Sequence, residues 1–180
     1  MVELVPSLLR QELARLAEES QRIDGRGQWD TREVSLETNC LYNAEGSAKV
    51  VMGGTVVYAG VKFELRTPWP DRPTQGSLMC GAELRPVAGR KYEPGPPSPE
   101  SIELGRVVDR GIRESGCIDM ESLCIVPGEK VWGVMIDIHV MSDQGNIFDA
   151  CGLAAIAALR TAVVPACLLY TSPSPRDSAL

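Results

Sequence analysis

Two β-type segments joined by a pair of glycines constrain the fold of this chain more than any other feature. SAKVVM and TVVYAGVKFEL, within residues 45–65, are rich in branched and aromatic residues, and Gly53-Gly54 separates them. Two residues are enough to connect antiparallel strands, and glycine accepts the positive φ that such tight turns require. The sequence therefore predicts a β-hairpin over residues 45–65.

A further segment, VWGVMIDIHVM at 131–141, alternates strictly between two kinds of side chain. One face carries large apolar residues: Trp132, Val134, Ile136, Ile138 and Val140. The other face carries Asp137 and His139. This period of two predicts a half-buried antiparallel strand. Two shorter segments, SLMCGAEL and ESLCIVPG, also have the composition of strands.

Three segments have the pattern of helices. The first is an N-terminal helix of about three to four turns, capped by Ser7. The second begins at Ser98-Pro99-Glu100 and runs to about Glu114, because a capping serine, an early proline and an early acid favour a helix start. The third is ACGLAAIAALR, capped by Asp149. Hairpins dominate this order of elements, which predicts an α+β or mixed α/β fold rather than a doubly wound parallel sheet.

Composition limits the class of protein. The 180 residues are 44% hydrophobic, which suits one compact domain with a core. A net charge of -6 is the reverse of what a free-standing nucleic-acid binder usually shows, so RNA contact would need a local basic patch or a more basic partner. The sequence has no membrane-length apolar stretch and no signal-peptide pattern, so we expect a cytoplasmic protein with no membrane partner. Six cysteines without a Cys-x-x-Cys pair, and a single histidine, predict no metal site.

The second predicted helix carries a stripe of arginines. Arg106, Arg110 and Arg113 follow one another at steps of four and three, which places them on one side of the helix. Forked guanidinium groups in a row suit the phosphates of a nucleic acid. The alternative is pairing within the helix, of Arg106 and Arg113 with Asp109 and of Arg110 with Glu114. Spacing alone favours the ion pairs, each of which contributes only about 0–1 kcal/mol at a surface.

The segment SDQGNIFDA, residues 142–150, contains two acids and no basic residue. Asp143 and Asp149 lack the spacing of an EF-hand loop. A catalytic carboxylate pair is one alternative, but the simpler account is a tight turn at Gly145-Asn146 followed by Asp149 as a helix cap. His139 has no serine or cysteine partner identifiable from sequence, which favours a structural role over that of a general base.

Several motifs, in order, resemble one family. They are RIDGR, AEGSAKVVMGGTVVYAGVKFE, GSLMCGAELRPVA, YEPGPP, IELGRVVDRGIRES and ESLCIVPGEKVWGVMIDIHVMSDQGNIFDACGLAAIAAL. From about Pro6 to Ala166 the chain resembles ribonuclease-PH-type domains, and in particular the non-catalytic, ribonuclease-PH-like subunits of the archaeal exosome core. The resemblance implies a ribonuclease PH fold of the ribosomal-protein-S5-like β-α type, with helices packed on a hairpin-rich sheet and incomplete at the C-terminus.

The resemblance also implies partners. Subunits of this type alternate with a catalytic, homologous subunit in a hexameric ring, and RNA-binding cap subunits join them. The ring degrades RNA from 3′ to 5′ with inorganic phosphate. Because the catalytic partner's active site uses that phosphate, the resemblance implies no cofactor and no catalytic residue in this chain.

Compared residue by residue, the resemblance distinguishes a phosphate site from a site of RNA contact. In active relatives the loop equivalent to 143–147 reads approximately Asp-Gly-Gly-Thr-Arg, and its Thr-Arg end grips the attacking phosphate. Asn146 and Ile147 stand at those positions here, and isoleucine offers neither charge nor donor, which implies a degenerate phosphate site. Arg106 and Arg110, with Arg113 a weaker third, become the expected RNA contacts. An independently active phosphorolytic exoribonuclease and a purely architectural ring subunit remain as alternatives.

The last residues differ in character from the chain before them. CLLYTSPSPRDSAL, residues 167–180, places two Ser-Pro pairs after an alanine-rich segment and resembles the conceptual translation of a sequencing-library adapter. We therefore divide the chain into a partial ribonuclease-PH-like domain, residues 1–166, and a non-native tail, residues 167–180. The alternative is a genuine disordered tail, since serine and proline favour disorder.

Overall fold

The computed structural model describes residues 7–165, and side chains of the first helix are described from Arg10 onward. The chain forms an N-terminal unit, Met1–Glu33, and a main unit that begins at Val34. The expected tail at 167–180 lies outside the described residues, so the division of the chain at residue 166 stays a prediction. Of the helices within residues 7–165, none combines the length and the apolar character that a membrane span requires.

The N-terminal unit contains helix α1 (Ser7–Glu18) and a compact turn. The twelve residues of α1 confirm the predicted three to four turns, whereas the capping role of Ser7 concerns a side chain outside the described set. At the turn, the Arg22 N–H donates to the Arg26 carbonyl over 2.8 Å, and Gly25 has a φ of +82°. The turn therefore closes because glycine accepts the left-handed conformation.

The main unit is built on one six-stranded sheet. Its strands are β1 (Val34–Thr38), β2 (Gly46–Met52), β3 (Thr55–Arg66), β4 (Ser77–Leu84), β5 (Cys124–Val126) and β6 (Lys130–Ser142). The order across the sheet is β1-β2-β3-β6-β4, and β5 pairs with β6. The predicted hairpin is confirmed, because Met52 pairs with Thr55 and Gly53 turns the chain with a φ of +59°.

The central strand β6 confirms one prediction and corrects another. Its apolar face is buried, and Asp137 is exposed on the opposite face, as the alternation predicts. β6 is antiparallel to β3 but parallel to β4, so the expectation of a purely antiparallel strand was wrong on one side. The chain crosses over through a helix between β4 and β6 and returns in the same direction. The sequence also did not predict β1, an edge strand whose residues are all exposed.

Two helices cover one face of the sheet, α2 (Pro99–Ser115) and α3 (Ile147–Thr161). α2 begins as predicted, because the Ser98 side chain accepts a hydrogen bond from the Ser101 N–H over 3.2 Å. It ends at Gly116, whose φ of +65° suits the left-handed position after a helix. The start and end of α2 are therefore both encoded by local sequence.

The core lies between these helices and the sheet. Its fully buried large side chains come from both layers: Leu104 of α2, Val50, Val57 and Val61 of the hairpin, and Ile136 and Ile138 of β6. Each such side chain contributes roughly 1.5–3 kcal/mol relative to exposure. The small residues of α3 allow close approach, because a Cβ at Gly46 of β2 would overlap the Ala158 carbonyl. The alanine-rich helix α3 therefore packs closely on the sheet at β2.

Candidate nucleic-acid interface and the adjoining turn

Helix α2 lies along the outer edge of β4. Gly105 allows the helix to approach the strand closely, since a Cβ there would lie 3.3 Å from the Ala82 backbone nitrogen. The Ser101 hydroxyl donates to the Ala82 carbonyl over 2.8 Å, and Arg113 Nη2 donates to the Leu78 carbonyl over 3.0 Å. An edge strand leaves backbone carbonyls without partners, so α2 both satisfies two of them and is fixed in place by them.

The three arginines of α2 are all exposed but differ in what they contact. Arg113 forms a two-point ion pair with Asp109, with Nε–Oδ2 and Nη2–Oδ1 distances of 3.1 and 3.0 Å. Of the ion pairs within the helix that were the alternative to RNA contact, this is the one that forms in α2. Within the described part of the chain, Arg106 and Arg110 form no ion pair or hydrogen bond. Two guanidinium groups on one side of a fixed helix therefore remain available to an anionic ligand.

The turn after β6 is confirmed at Gly145-Asn146, where φ is +91° and +57°. The expectation that Asp149 caps α3 was wrong. The helix begins at Ile147, after Asn146 in the cap position, and Asp149 lies within its first turn. The left-handed backbone at Asn146 reverses the chain early, so the helix starts before its alanine-rich sequence does.

Both residues predicted at the degenerate phosphate site are engaged within the chain. The Asn146 side-chain amide donates to the Asp149 carboxylate over 2.9 Å. Ile147 is half-buried and packs against the core. The Asp149 carboxylate lies at the positive end of the α3 dipole, where a negative group is favoured. An incoming anion would therefore meet the negative charge of this carboxylate.

A cluster around Asp143, which the sequence analysis missed, holds the start of this turn. Its carboxylate accepts hydrogen bonds from the Tyr92 hydroxyl over 2.6 Å and from the Gly145 N–H over 2.9 Å. Lys91 Nζ lies 3.1 Å from the same carboxylate, and the Asp143 N–H donates to the Ala88 carbonyl over 2.8 Å. Tyr92 and Asp143 are 51 positions apart, so no local pattern reports their contact.

The electrostatics of this cluster stabilise the ionised carboxylate. Burial alone would raise the pKa of Asp143, but the hydrogen bonds from Tyr92 and Gly145 and the charge of Lys91 outweigh it and hold that pKa below its ordinary value. Burial, followed by the bond to Asp143, raises the pKa of Tyr92 to about 12. Lys91 Nζ also lies 3.9 Å from Glu100, so the cluster connects the turn to the first turn of α2.

The remaining candidate groups show no catalytic arrangement. His139 Nδ1 lies 3.4 Å from the Glu83 carboxylate on the exposed face of the sheet. Among residues 7–165, no three His, Cys, Asp or Glu side chains converge as a metal site would require. Burial raises the pKa of Cys151 to about 12, which makes this thiol unreactive.

Comparisons with known proteins place this geometry in a family. Residues 30–165 match the model of the 3′ exoribonuclease family, domain 1. Over 165 residues the chain is 52% identical to the exosome complex component Rrp42 of Methanosarcina acetivorans, covering 92% of this chain and 62% of that protein. A chain of the Archaeoglobus fulgidus exosome with RNA bound to the active site superposes with a TM-score of 0.85 and 49% identity, covering 89% of this chain and 63% of that one. An archaeal exosome core gives a TM-score of 0.79 at 44% identity, covering 91% of this chain and 62% of that one.

These matches confirm the ribonuclease PH fold and the resemblance to archaeal exosome components that the motifs predicted. The chain spans about three fifths of the length of the relatives that it matches. The match across residues 30–165 includes the hairpin, the arginine-bearing helix and the turn after β6. On this basis the chain belongs to the 3′ exoribonuclease family of ribonuclease-PH-type proteins.

Proposed function

We propose that the protein is a non-catalytic subunit of a hexameric, phosphate-dependent 3′-to-5′ exoribonuclease ring of the exosome-core type. In this proposal it alternates with a catalytic, homologous subunit, binds RNA through Arg106 and Arg110, and orders the active site of that neighbour. Inorganic phosphate is used by the neighbour, RNA-binding cap subunits join the ring, and the complex works in the cytoplasm. The 52% identity to an archaeal exosome component supports this assignment.

The proposal rests on a contrast between the arginines of α2 and the residues of the turn after β6. Arg106 and Arg110 are exposed and unpaired within the described residues, whereas the side chains of Asn146 and Ile147 are engaged inside the chain. Guanidinium groups bind phosphates through forked hydrogen bonds and release counterions from the nucleic acid. Phosphorolysis, by contrast, needs donors that hold the attacking phosphate, and loss of one such donor typically costs about 10²–10³ in rate. The chain therefore presents two exposed guanidinium groups to RNA on α2. At the turn, Asn146 and Ile147 supply no cation for the attacking phosphate.

The test uses the full-length protein reconstituted with its catalytic partner. Arg106→Glu and Arg110→Glu together should weaken RNA binding by about a hundredfold or more, because each change removes one phosphate contact and adds a repulsive charge. Sedimentation should show an intact ring. Lys130→Glu, an exposed charge reversal outside α2, is the matched control and should leave RNA affinity near that of the wild type.

Three outcomes decide between the proposal and its alternatives. Unchanged RNA binding and decay in the double variant would refute the RNA-binding role. Phosphate-dependent release of nucleoside diphosphates by the isolated protein would show that it is itself an exoribonuclease. Crosslinking that places no RNA on residues 98–116 in an active ring would show that the subunit is architectural.

A further inference from the structure

The face of the sheet opposite the helices carries a patch that neither the fold nor the proposed RNA contacts explain. It consists of Met79 and Gly81 of β4 and Met135 and Asp137 of β6, and we call it the β4–β6 patch. Met79 lies beside Met135, and Gly81 lies beside Asp137, in the parallel register of the two strands. Met79 is 47% exposed, Gly81 and Asp137 are exposed, and Met135 is half-buried. Methionine side chains are flexible and polarisable, so they adapt to a partner surface.

Asp137 is the unpaired charge at the centre of this patch. Ion pairs border the patch at both ends: Arg66 with Glu64 at one, and Glu83 with Arg85 and His139 at the other. Arg66 Nη1 also lies 2.9 Å from the Met79 sulfur. Over the described ranges of the chain, Asp137 has no ion pair or hydrogen bond. The patch therefore has a rim of paired polar groups around two methionines, a glycine and one unpaired carboxylate, and a polar rim is usual at a protein–protein interface.

Gly81 is a glycine that the fold itself does not require. Its φ is outside the left-handed region, and a Cβ would meet only Asp137 Oδ1, at the ordinary contact distance of 3.6 Å. Glycine inside a strand weakens that strand, because it has no side chain to pack and more backbone freedom to lose. A bare backbone on an exposed strand is typical of a place where another chain approaches closely.

We propose that the β4–β6 patch is a docking surface for a protein partner that presents an arginine side chain to Asp137. A partner that covered the patch without a cation would bury an unpaired carboxylate, which is strongly unfavourable. Arginine suits this position because its guanidinium forms a two-point bond with a carboxylate, and because arginine is enriched at the centres of interfaces. Met79 and Met135, whose sulfur atoms lie near the Arg66 guanidinium, would flank its aliphatic part, and the bare backbone at Gly81 would let the partner approach closely. RNA fits this patch less well, since its phosphates would face Asp137.

The inference rests on the proposed function in one respect, which is that the catalytic ring subunit is the partner chosen for the test. Association of the two full-length proteins is measured by sedimentation and by titration. Asp137→Arg should weaken association by about tenfold to a hundredfold, because it places like charges in contact. Gly81→Val should weaken it comparably by filling the bare surface, while a β-branched residue suits the strand and keeps the subunit folded.

Controls separate docking from folding. Glu129→Arg makes the same change of charge in the exposed turn before β6 and should leave association unchanged. A melting temperature near that of the wild type shows that Asp137→Arg and Gly81→Val are folded. Proteins labelled at the methionine methyl groups report the contact directly: the resonances of Met79 and Met135 should shift when the partner binds.

The remaining outcomes show whether the proposed function, the docking surface or both fail. If wild-type protein and catalytic subunit do not associate, both the proposed function and this inference fail. If they associate, but both variants bind like the wild type and the methionine resonances stay unmoved, only the docking surface fails. Shifts of those resonances that depend on the concentration of the protein alone would identify a second copy as the occupant and overturn the arginine-bearing partner.

Discussion

Helix α2 and the turn at residues 143–149 both carry several charged side chains, but the two regions use them in opposite ways. On α2, Arg106 and Arg110 are exposed and unpaired within the described residues. At the turn, Asp143 and Asp149 accept hydrogen bonds from neighbouring groups of the same chain. On the proposed function, unpaired charge, rather than the number of charges, distinguishes the RNA-binding surface. It also explains how a chain of net charge -6 can offer a local site to a polyanion.

The largest expected effect lies at the turn. Asp143→Ala should lower the free energy of unfolding of the full-length protein by about 2–4 kcal/mol, because it leaves two donors, one of them on the buried Tyr92, without their acceptor. The donors are the Tyr92 hydroxyl and the Gly145 N–H, and Lys91 also loses the closer of its two carboxylate partners. Urea unfolding measures this loss. RNA affinity of the reconstituted ring should stay within about twofold of wild type; a loss of RNA binding without a loss of stability would reverse the assignment of the two regions.

The same substitution should show a defined pH dependence. The pKa of Asp143 lies below its ordinary value of 3.8, so its contribution to stability is present above that value and is lost as pH falls through the lower, folded-state pKa. The unfolding free energies of wild type and Asp143→Ala should therefore differ at neutral pH and converge in acid. Asp143→Asn keeps an acceptor and should lose less. Curves that stayed parallel into acid would show that ionisation of Asp143 contributes nothing.

The next effect lies on α2. Arg106→Ala with Arg110→Ala should weaken RNA binding by about tenfold to a hundredfold and reduce the slope of log affinity against log salt by roughly 1.4, for two contacts to a single strand. Unfolding free energy should change by less than about 0.5 kcal/mol, because neither side chain has a partner among residues 7–165 to lose. Fluorescence titrations at several salt concentrations measure both quantities. An unchanged salt slope would mean that these arginines do not contact phosphates.

Features that depend on adjacent residues were predicted from the sequence, whereas features that depend on residues far apart in the chain were not. The Gly53-Gly54 hairpin and the Ser98 cap of α2 depend on adjacent residues, and both were predicted. The parallel pairing of β4 with β6 depends on a crossover, and the bond from Tyr92 to Asp143 spans 51 positions, so neither has a local signature. Helical spacing placed the arginines on one side of α2. It gave no sign that Arg113 donates to Leu78, a residue 35 positions away.

A smaller effect is expected at Arg113, which separates it from the other two arginines. Arg113→Ala should lower the free energy of unfolding by about 1 kcal/mol, because it removes the pair with Asp109 and the bond to the Leu78 carbonyl at the sheet edge. Because its guanidinium already has partners, RNA affinity should fall less than about threefold. Arg113→Lys is the control that keeps the charge but loses the two-point geometry. A loss of RNA binding equal to that at Arg106, with stability unchanged, would make Arg113 a full member of the RNA-binding stripe.

The smallest expected effect tests whether α2 is fixed against β4. Gly111→Ala should raise the free energy of unfolding by about 0.5–1 kcal/mol, because the new Cβ meets nothing within 4 Å and alanine favours the helix. Gly105→Ala should gain nothing or lose stability, because its Cβ would press on the backbone of β4 from 3.3 Å. Urea unfolding of the two variants measures the difference on one helix. Equal stabilisation by both would mean that α2 can move away from β4 at no cost, and Arg106 and Arg110 would then lack the fixed position that their role in RNA binding requires.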